Sequence, residues 1–529
     1  MPIPRRVLSF LDRIVSDYPD RVALAALAIS FALCFLKAGR TYLNPDEAHY
    51  FQMSIPNGLR DLYQSALGTH HPALYIMLMH WLSKISEQEL ALRSVALAAG
   101  VLFPWFLYRW LSLVWTPLAG LLALLLTAFA PHLMTLNAEA RGYTLAFMGV
   151  FACLYFQERA VRESSSRWMI LSSAALCVAI ASEFFVAFFA GAAGFCYLLR
   201  AWKQPAARQL WVIWALGQAC GIALYGFLYL TQIRPIMSSP MGQTEMEPWL
   251  HDTFPWPGED NLPYFLVSAT LKQVAWIFAA PSYGRLMTIP FLAGLWFLWK
   301  GRSAKVIEGL PGRLLVGITA IMFALAAAGS VAHDHPFGRT RHTGILGIFA
   351  VAAIAVAVER LVRHRPGLIL PAMAILFPLW HRGAVETTNI PRARHQRAHM
   401  MAGVDRLRAL IPSGSTILVD QETRLMLDYY LELDRRARTP QPPQEARELV
   451  SGGYRFVSYR FDYLSTGQLE EDLGRFRVDY GVPPDTMVWL VDGGWLVWAR
   501  TESQQKAFNE EKFGQVLSIL RLPPEFARK

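Results

Sequence analysis

The stretch Asn44-Pro45-Asp46-Glu47-Ala48-His49-Tyr50 lies between an apolar run at 22–36 and another at 91–107. Runs of this kind recur along the chain, and about 20 apolar residues in a helix cross roughly 30 Å of hydrocarbon. Two adjacent carboxylates directly after such a run are hard to explain by packing. Ionisable groups at a membrane face are read first as functional. The stretch therefore sets the expected fold: a polytopic α-helical membrane protein whose polar chemistry collects on one face.

Composition agrees. Of 529 residues, 54% are hydrophobic and only 17% charged, against about 25% charged in an ordinary soluble chain. The first apolar run is not a cleavable signal, because no small-residue cleavage site follows it and what comes next is the Asp46-Glu47 stretch. The net charge of +10 would suit nucleic acid if it formed a patch. Instead the basic residues cluster in short loops between apolar runs, where they set topology, so no nucleic-acid partner is expected. Cys34, Cys153, Cys177, Cys196 and Cys220 lie in or beside apolar runs with no CxxC or zinc spacing. Neither disulfides nor a cysteine metal site is expected; small buried apolar residues are the simpler reading.

Taken in order, Arg5, Arg6, Arg13 and Arg21 place the N-terminus on the cytoplasmic side. Spans follow at 22–36, 91–107, 118–130 and 143–156. The run 168–199 is too long for one crossing and reads as a hairpin turning near Ser182-Glu183. Further spans lie at 210–230, 286–299, 314–332, 344–358 and 368–380, about eleven in all. Loops assigned inside are basic, and the acidic and mixed loops fall outside. The amphipathic segments within 37–90 and 231–281 read as helices lying in the interface.

From 384 to 529 the composition becomes that of a soluble domain. Strands are expected at 416–419 and 455–459, with a hairpin pairing 487–491 and 495–499 through Asp492-Gly493-Gly494. Helices are expected at 422–432 and 468–476. A membrane module at 1–383 followed by an extracytoplasmic α/β domain at 384–529 is the result. The aromatic residues Trp489, Trp495 and Trp498 belong to its core or to an acceptor surface.

The outer loops hold four unusual groups: Asp46 and Glu47; His70 and His71 before Pro72; Glu139 and Arg141; and Arg339, Arg341 and His342. Carboxylates and cations on one face suit removal of a proton from an incoming nucleophile while positive charge holds a phosphate leaving group.

At these residues the chain resembles the membrane-embedded GT-C glycosyltransferases that use polyprenyl-phosphate sugars. The likeness is strongest to the branch of protein O-mannosyltransferases, aminoarabinose transferases and rhizobial galacturonosyltransferases. It rests on Pro45-Asp46-Glu47-Ala48, on His70-His71-Pro72-Ala73-Leu74-Tyr75, on Glu89-Leu90-Ala91-Leu92-Arg93-Ser94 and on Glu139-Ala140-Arg141-Gly142-Tyr143. Each motif alone is weak, but their order and spacing over about the first 160 residues are specific. Beyond Trp168 the likeness is architectural. Ala73 stands where the family pattern usually has a second proline.

The resemblance implies an inverting transfer in which an acceptor hydroxyl attacks the sugar's anomeric carbon and the lipid phosphate leaves. Asp46 takes the role of general base by motif match, and a carboxylate drawn partly out of water is a better base near neutral pH. Its alternative is a helix N-cap after Pro45. Glu47 either orients the acceptor or serves as a helix N-terminal carboxylate. His70 and His71 meet the donor phosphate or sugar, or act as interface caps. Arg141, permanently charged and able to make bidentate contacts, is the stronger phosphate ligand. Arg339 and Arg341 either share that role or snorkel to headgroups. Glu139, Tyr143 and His342 support acceptor or cations, and Glu183 marks a second polar site if its turn is buried. The family is mixed in metal use, so a divalent cation (Mg or Mn) on Asp46, Glu139 and Asp334 stays open. The partners implied are a polyprenyl-phosphate sugar, a glycolipid, glycan or protein acceptor, and the bilayer. The competing class is a transporter or flippase, which would put its charges in mid-span and repeat its halves; a non-catalytic binder of lipid-linked sugars is a third.

Overall fold

The structure is a computed structural model. It describes residues 5–56, 58–67, 72–203, 208–237, 250–279, 284–301, 310–383, 396–431, 448–451, 454–459, 477–478, 481–483, 485–493 and 518–522. The chain divides into two compact units. The first comprises Met1–Leu36, Leu67–Tyr75 and Arg93–Val385; the second comprises Lys37–Ala66, Ile76–Leu92 and Glu386–Lys529.

The first unit is helical, and each apolar run expected to span the membrane coincides with helix. Among the described residues, five helices are both long and apolar enough to cross a membrane: Pro19–Arg40, Ser94–Val114, Arg208–Ile236, Gly312–Val331 and Arg341–Val362. The pair Pro117–Ala128 and Pro131–Asn137, bent by 70°, makes a sixth if it counts as one span. The chain is thus a multi-pass membrane protein. The run 168–199 breaks where the turn is expected: helices Ser166–Ser182 and Val186–Lys203 join through Glu183, Phe184 and Phe185.

Sequence chemistry explains these elements locally. Thr116 accepts a hydrogen bond from the backbone of Ala119, and Pro117, with φ already set for a helix, opens the Pro117–Ala128 helix. Helix Gly344–Val362 is buried almost all round, as expected of a helix without a polar face, and lies at the centre of the apolar core. Helix Thr288–Lys300 reaches it through Gly294, where a Cβ would lie 1.8 Å from the Ala353 carbonyl oxygen. At the far end of helix Tyr143–Glu163, buried Glu158 is clasped by Arg200 at 2.6 Å and Arg162 at 2.7 Å.

The second unit contains a five-stranded sheet ordered β2-β3-β1-β4-β5. The strands are β1 (Thr416–Asp420), β2 (Glu448–Ser451), β3 (Tyr454–Tyr459), β4 (Val488–Asp492) and β5 (Ser518–Leu522). β1 runs parallel to β3 and β4, with Ile417 opposite Phe456 on one side and Trp489 on the other. β2 and β5 close the edges antiparallel. A central strand is covered on both faces, which is why Thr416-Ile417-Leu418-Val419 reads as one apolar run rather than an alternation. Asp420 then caps helix Gln421–Tyr430 by accepting from the backbone of Thr423 at 2.7 Å.

β4 has β1 and β5 as neighbours, and the anticipated return strand at 495–499, like the helix at 468–476, lies outside the described residues. Moreover, the segments Lys37–Ala66 and Ile76–Leu92, read from sequence with the membrane module, pack with Glu386–Lys529. Tyr42, for example, shares a core with Met400, Val404, Ile417 and Phe456. Trp489 is half-buried against that same core.

Candidate active site

In the second unit, helix Pro45–Met53 begins at Asn44, not at Asp46. The Asn44 side chain accepts from the Glu47 backbone at 3.0 Å, and Glu47 Oε2 accepts from the Asn44 backbone at 3.0 Å. This reciprocal capping box satisfies two otherwise orphaned donors, and Pro45 supplies the first helical residue. Glu47, 1% exposed, therefore has the structural task that the sequence left open. Asp46 is half-buried in the first turn, where the helix dipole favours negative charge. The other end of the helix is held as well: Gln52 Nε2 donates to Asp428 Oδ2 at 2.5 Å, and the Phe51 ring meets Tyr429 edge-on at 5.1 Å.

In the first unit, Glu139-Ala140-Arg141-Gly142 forms a turn between helices Pro131–Asn137 and Tyr143–Glu163. Arg141 is 1% exposed. Its guanidinium carbon lies 5.0 Å from the Tyr143 ring centroid, and Nη2 is 3.5 Å from the Tyr143 hydroxyl. That hydroxyl is 3.2 Å from His342 Nδ1, with the two rings edge to face. The loop carrying Arg341 and His342 is pinned to helix Leu262–Ile277 by a pair of bonds. Thr343 Oγ1 donates to Gln273 Oε1 at 2.7 Å, and Gln273 Nε2 donates to the Thr343 carbonyl at 2.9 Å.

Gly142 brings the Arg141 turn against the Glu183 turn, since a Cβ on Gly142 would lie 2.5 Å from the Ser182 carbonyl oxygen. Its φ of −73° is ordinary, so the requirement is space alone. Gly142→Ala is expected to cost about 1–3 kcal/mol by forcing backbone apart. A melting temperature equal to wild type in thermal unfolding of the detergent-solubilised protein would remove that reading.

Glu183 is 6% exposed. Burial pushes its carboxyl up to about 8, and the opposing pull of Arg141, the Phe184 and Phe185 amides and Arg341 does not overcome it. Below that pH the acid is mostly neutral. His335, stacked on Phe185 with centroids 4.8 Å apart, adds no charge, because burial pushes its ring down to about 3. Arg141 and Arg341 bring guanidinium donors of the kind that bind anions to this turn.

The same shift has a stability consequence. The folded state holds the Glu183 proton up to about pH 8, whereas the unfolded chain releases it near the ordinary value of about 4.3. The native state binds more protons in that window, so stability falls as pH rises through it. Glu183→Gln, which mimics the protonated form, is expected to remove this slope. The gap between variant and wild-type melting temperatures should widen from pH 5 to pH 8.5, and parallel curves would sink the assignment.

Arg339 is exposed, while Glu139, Arg341 and His342 are half-buried. His70 and His71 lie outside the described residues. Asp334 is exposed, and among the described residues no group of three or more His, Cys, Asp or Glu side chains could hold a metal ion. Sequence reasoning missed Gln273 and Thr343, which carry no motif. It also missed Asp428 and Tyr429, which meet the Asp46 helix from more than 370 residues away.

Residues 70–229 match the family described as dolichyl-phosphate-mannose-protein mannosyltransferase. No curated protein matches the chain. Among solved structures, ArnT from Cupriavidus metallidurans bound to undecaprenyl phosphate superposes with a TM-score of 0.51 at 14% identity, covering 92% of this chain and 94% of that one. Its apo form gives 0.50 at 12% identity, covering 95% and 98%. At such identities the likeness concerns the fold alone, and it is the fold that the resemblance of the first 160 residues to GT-C enzymes implies.

Proposed function

We propose that this GT-C chain is an inverting glycosyltransferase that moves a sugar from a polyprenyl phosphate to an acceptor hydroxyl. The observation that carries the reading is the buried arginine Arg141, packed on the Tyr143 ring beside His342 and against the Glu183 turn. Undecaprenyl phosphate bound to the structurally similar ArnT and the match of 70–229 to a lipid-phosphate-dependent mannosyltransferase family support a phosphate as the anion.

In this reading Asp46 takes the proton from the acceptor hydroxyl while its oxygen attacks the anomeric carbon. The bond from that carbon to the phosphate oxygen breaks, and Arg141 and Arg341 stabilise the departing lipid phosphate, with Arg339, His70 and His71 as further contacts. Glu47 holds the helix start on which Asp46 sits; Glu139, Tyr143 and His342 support cations or acceptor. The membrane module crosses the inner membrane about eleven times. The site and a soluble C-terminal α/β domain lie on the periplasmic side, and the acceptor is an envelope glycolipid, glycan or protein.

The test is reconstitution. Purified chain in proteoliposomes with undecaprenyl-phosphate-linked sugars should yield free lipid phosphate and a glycosylated acceptor. Envelope glycolipids of a deletion strain should lack one sugar by mass spectrometry. A chain that moves the intact lipid-linked sugar across the bilayer without transfer would instead be a flippase.

A further inference from the structure

The Glu89-Leu90-Ala91-Leu92-Arg93 motif has no part in the chemistry above, yet Glu89 is buried. Its Oε1 accepts from Arg397 Nε at 2.7 Å and from the Tyr430 hydroxyl at 3.1 Å. The same hydroxyl accepts the backbone N–H of Leu43 at 2.8 Å. Leu43 directly precedes Asn44, the cap on which the helix carrying Asp46 begins.

One phenol thus fills both of its hydrogen-bonding roles. It donates to a carboxylate that is itself anchored by an arginine, and it accepts from the backbone three residues ahead of Asp46. Leu43 is fully buried and Tyr430 nearly so, so water does not replace these bonds without rearrangement, and a buried amide left unpaired is costly. The two residues before Tyr430 hold the rest of the same helix: Asp428 takes Gln52, and Tyr429 meets Phe51 and donates to the Glu87 carbonyl at 2.5 Å. The start and the end of helix Pro45–Met53 are therefore both tied to three consecutive residues of helix Gln421–Tyr430.

We propose that Tyr430, anchored by Glu89 and Arg397, is a positioning residue for transfer, fixing where the Asp46 helix starts and hence where its carboxylate stands. This gives the C-terminal region a part in catalysis separate from acceptor recognition. The inference rests on the glycosyltransferase reading, with Asp46 as base. A carboxylate displaced by about 1 Å loses roughly 100-fold in rate in unfavourable cases; loss of one hydroxyl with the ring retained is expected to cost about tenfold.

The experiment measures lipid-phosphate release in proteoliposomes for wild type, Tyr430→Phe, Asp46→Asn and the double variant, with undecaprenyl-phosphate binding capacity per mole of protein. Tyr430→Phe should lower kcat about tenfold, leave donor KM within about twofold and leave binding capacity at wild-type level. In the Asp46→Asn background it should have no further effect, because the carboxylate whose position it sets is gone. Glu89→Gln keeps an acceptor for the phenol but loses the charge that anchors Arg397. It should show the same dependence on Asp46 with a smaller loss, and it serves if Tyr430→Phe does not accumulate. Wild-type kcat in Tyr430→Phe, or an equal further loss in the Asp46→Asn background, overturns the inference while leaving the function standing. A wild-type chain that transfers no sugar overturns both.

Discussion

Asp46→Asn is expected to lower kcat for sugar transfer by at least about 100-fold, the lower end of what a positioned general base contributes. Apparent donor affinity should stay near wild type. The substitution suits the question because it spares the fold. Asn keeps the size of the side chain, the cap is Asn44, and the capping box uses Glu47, so the capping hydrogen bonds that start the helix are kept. Glu47→Gln is the paired control. A glutamine at this position of a capping box still accepts from the backbone of the capping residue, so a purely structural Glu47 predicts a change of less than about threefold. If Glu47→Gln were the damaging change and Asp46→Asn the silent one, the roles would be exchanged. If both were silent, the base would lie elsewhere.

The helical part of the fold was legible because long apolar runs have few alternatives: a segment that would have to satisfy its backbone within a membrane becomes a helix. The break at Ser182-Glu183 could be read from length alone, since 168–199 exceeds one crossing. The helix start at Asn44 was also legible, because Asn followed three residues later by Glu before an apolar stretch is the capping-box pattern. The alternative reading of Asp46, an N-cap after Pro45, places the cap two residues too late. What could not be read was long-range packing. Leu43 and Tyr430 are separated by 387 positions, and no local pattern links them, so the segment carrying Asp46 was assigned to the membrane module. The partner of β4 failed for the same reason. A Gly-Gly turn after Asp492 favours a local hairpin, whereas β5, past a stretch of some 25 residues, pairs with it instead. Glu183 lies between. A lone acid in the middle of an apolar run is visible, but its protonation follows from burial, which only the fold supplies.

Arg141→Ala carries the second large effect. A charged hydrogen bond to a phosphate contributes about 1.5–3 kcal/mol, so donor KM should rise roughly 10- to 100-fold, with kcat reduced as far as the same contact strengthens on the departing phosphate. Arg141→Lys should recover only part of this. An ammonium brings the charge but not the planar fork, nor the face that packs on the Tyr143 ring at 5.0 Å. The variant also changes its neighbour. Arg141 is the largest of the influences that hold the Glu183 carboxyl down against burial, so its removal should move that carboxyl above about 8. The window in which stability falls with rising pH should then extend further into alkali for Arg141→Ala than for wild type, and Glu183→Gln should abolish it in both backgrounds. Donor KM and the pH dependence of unfolding report different things, one the phosphate and the other the pairing of Arg141 with Glu183. A raised KM with an unmoved pH window would keep Arg141 as the phosphate ligand while detaching it from Glu183. An unchanged KM with a shifted window would make Arg141 a structural counter-charge, and the phosphate site would have to be sought at Arg341 and Arg339.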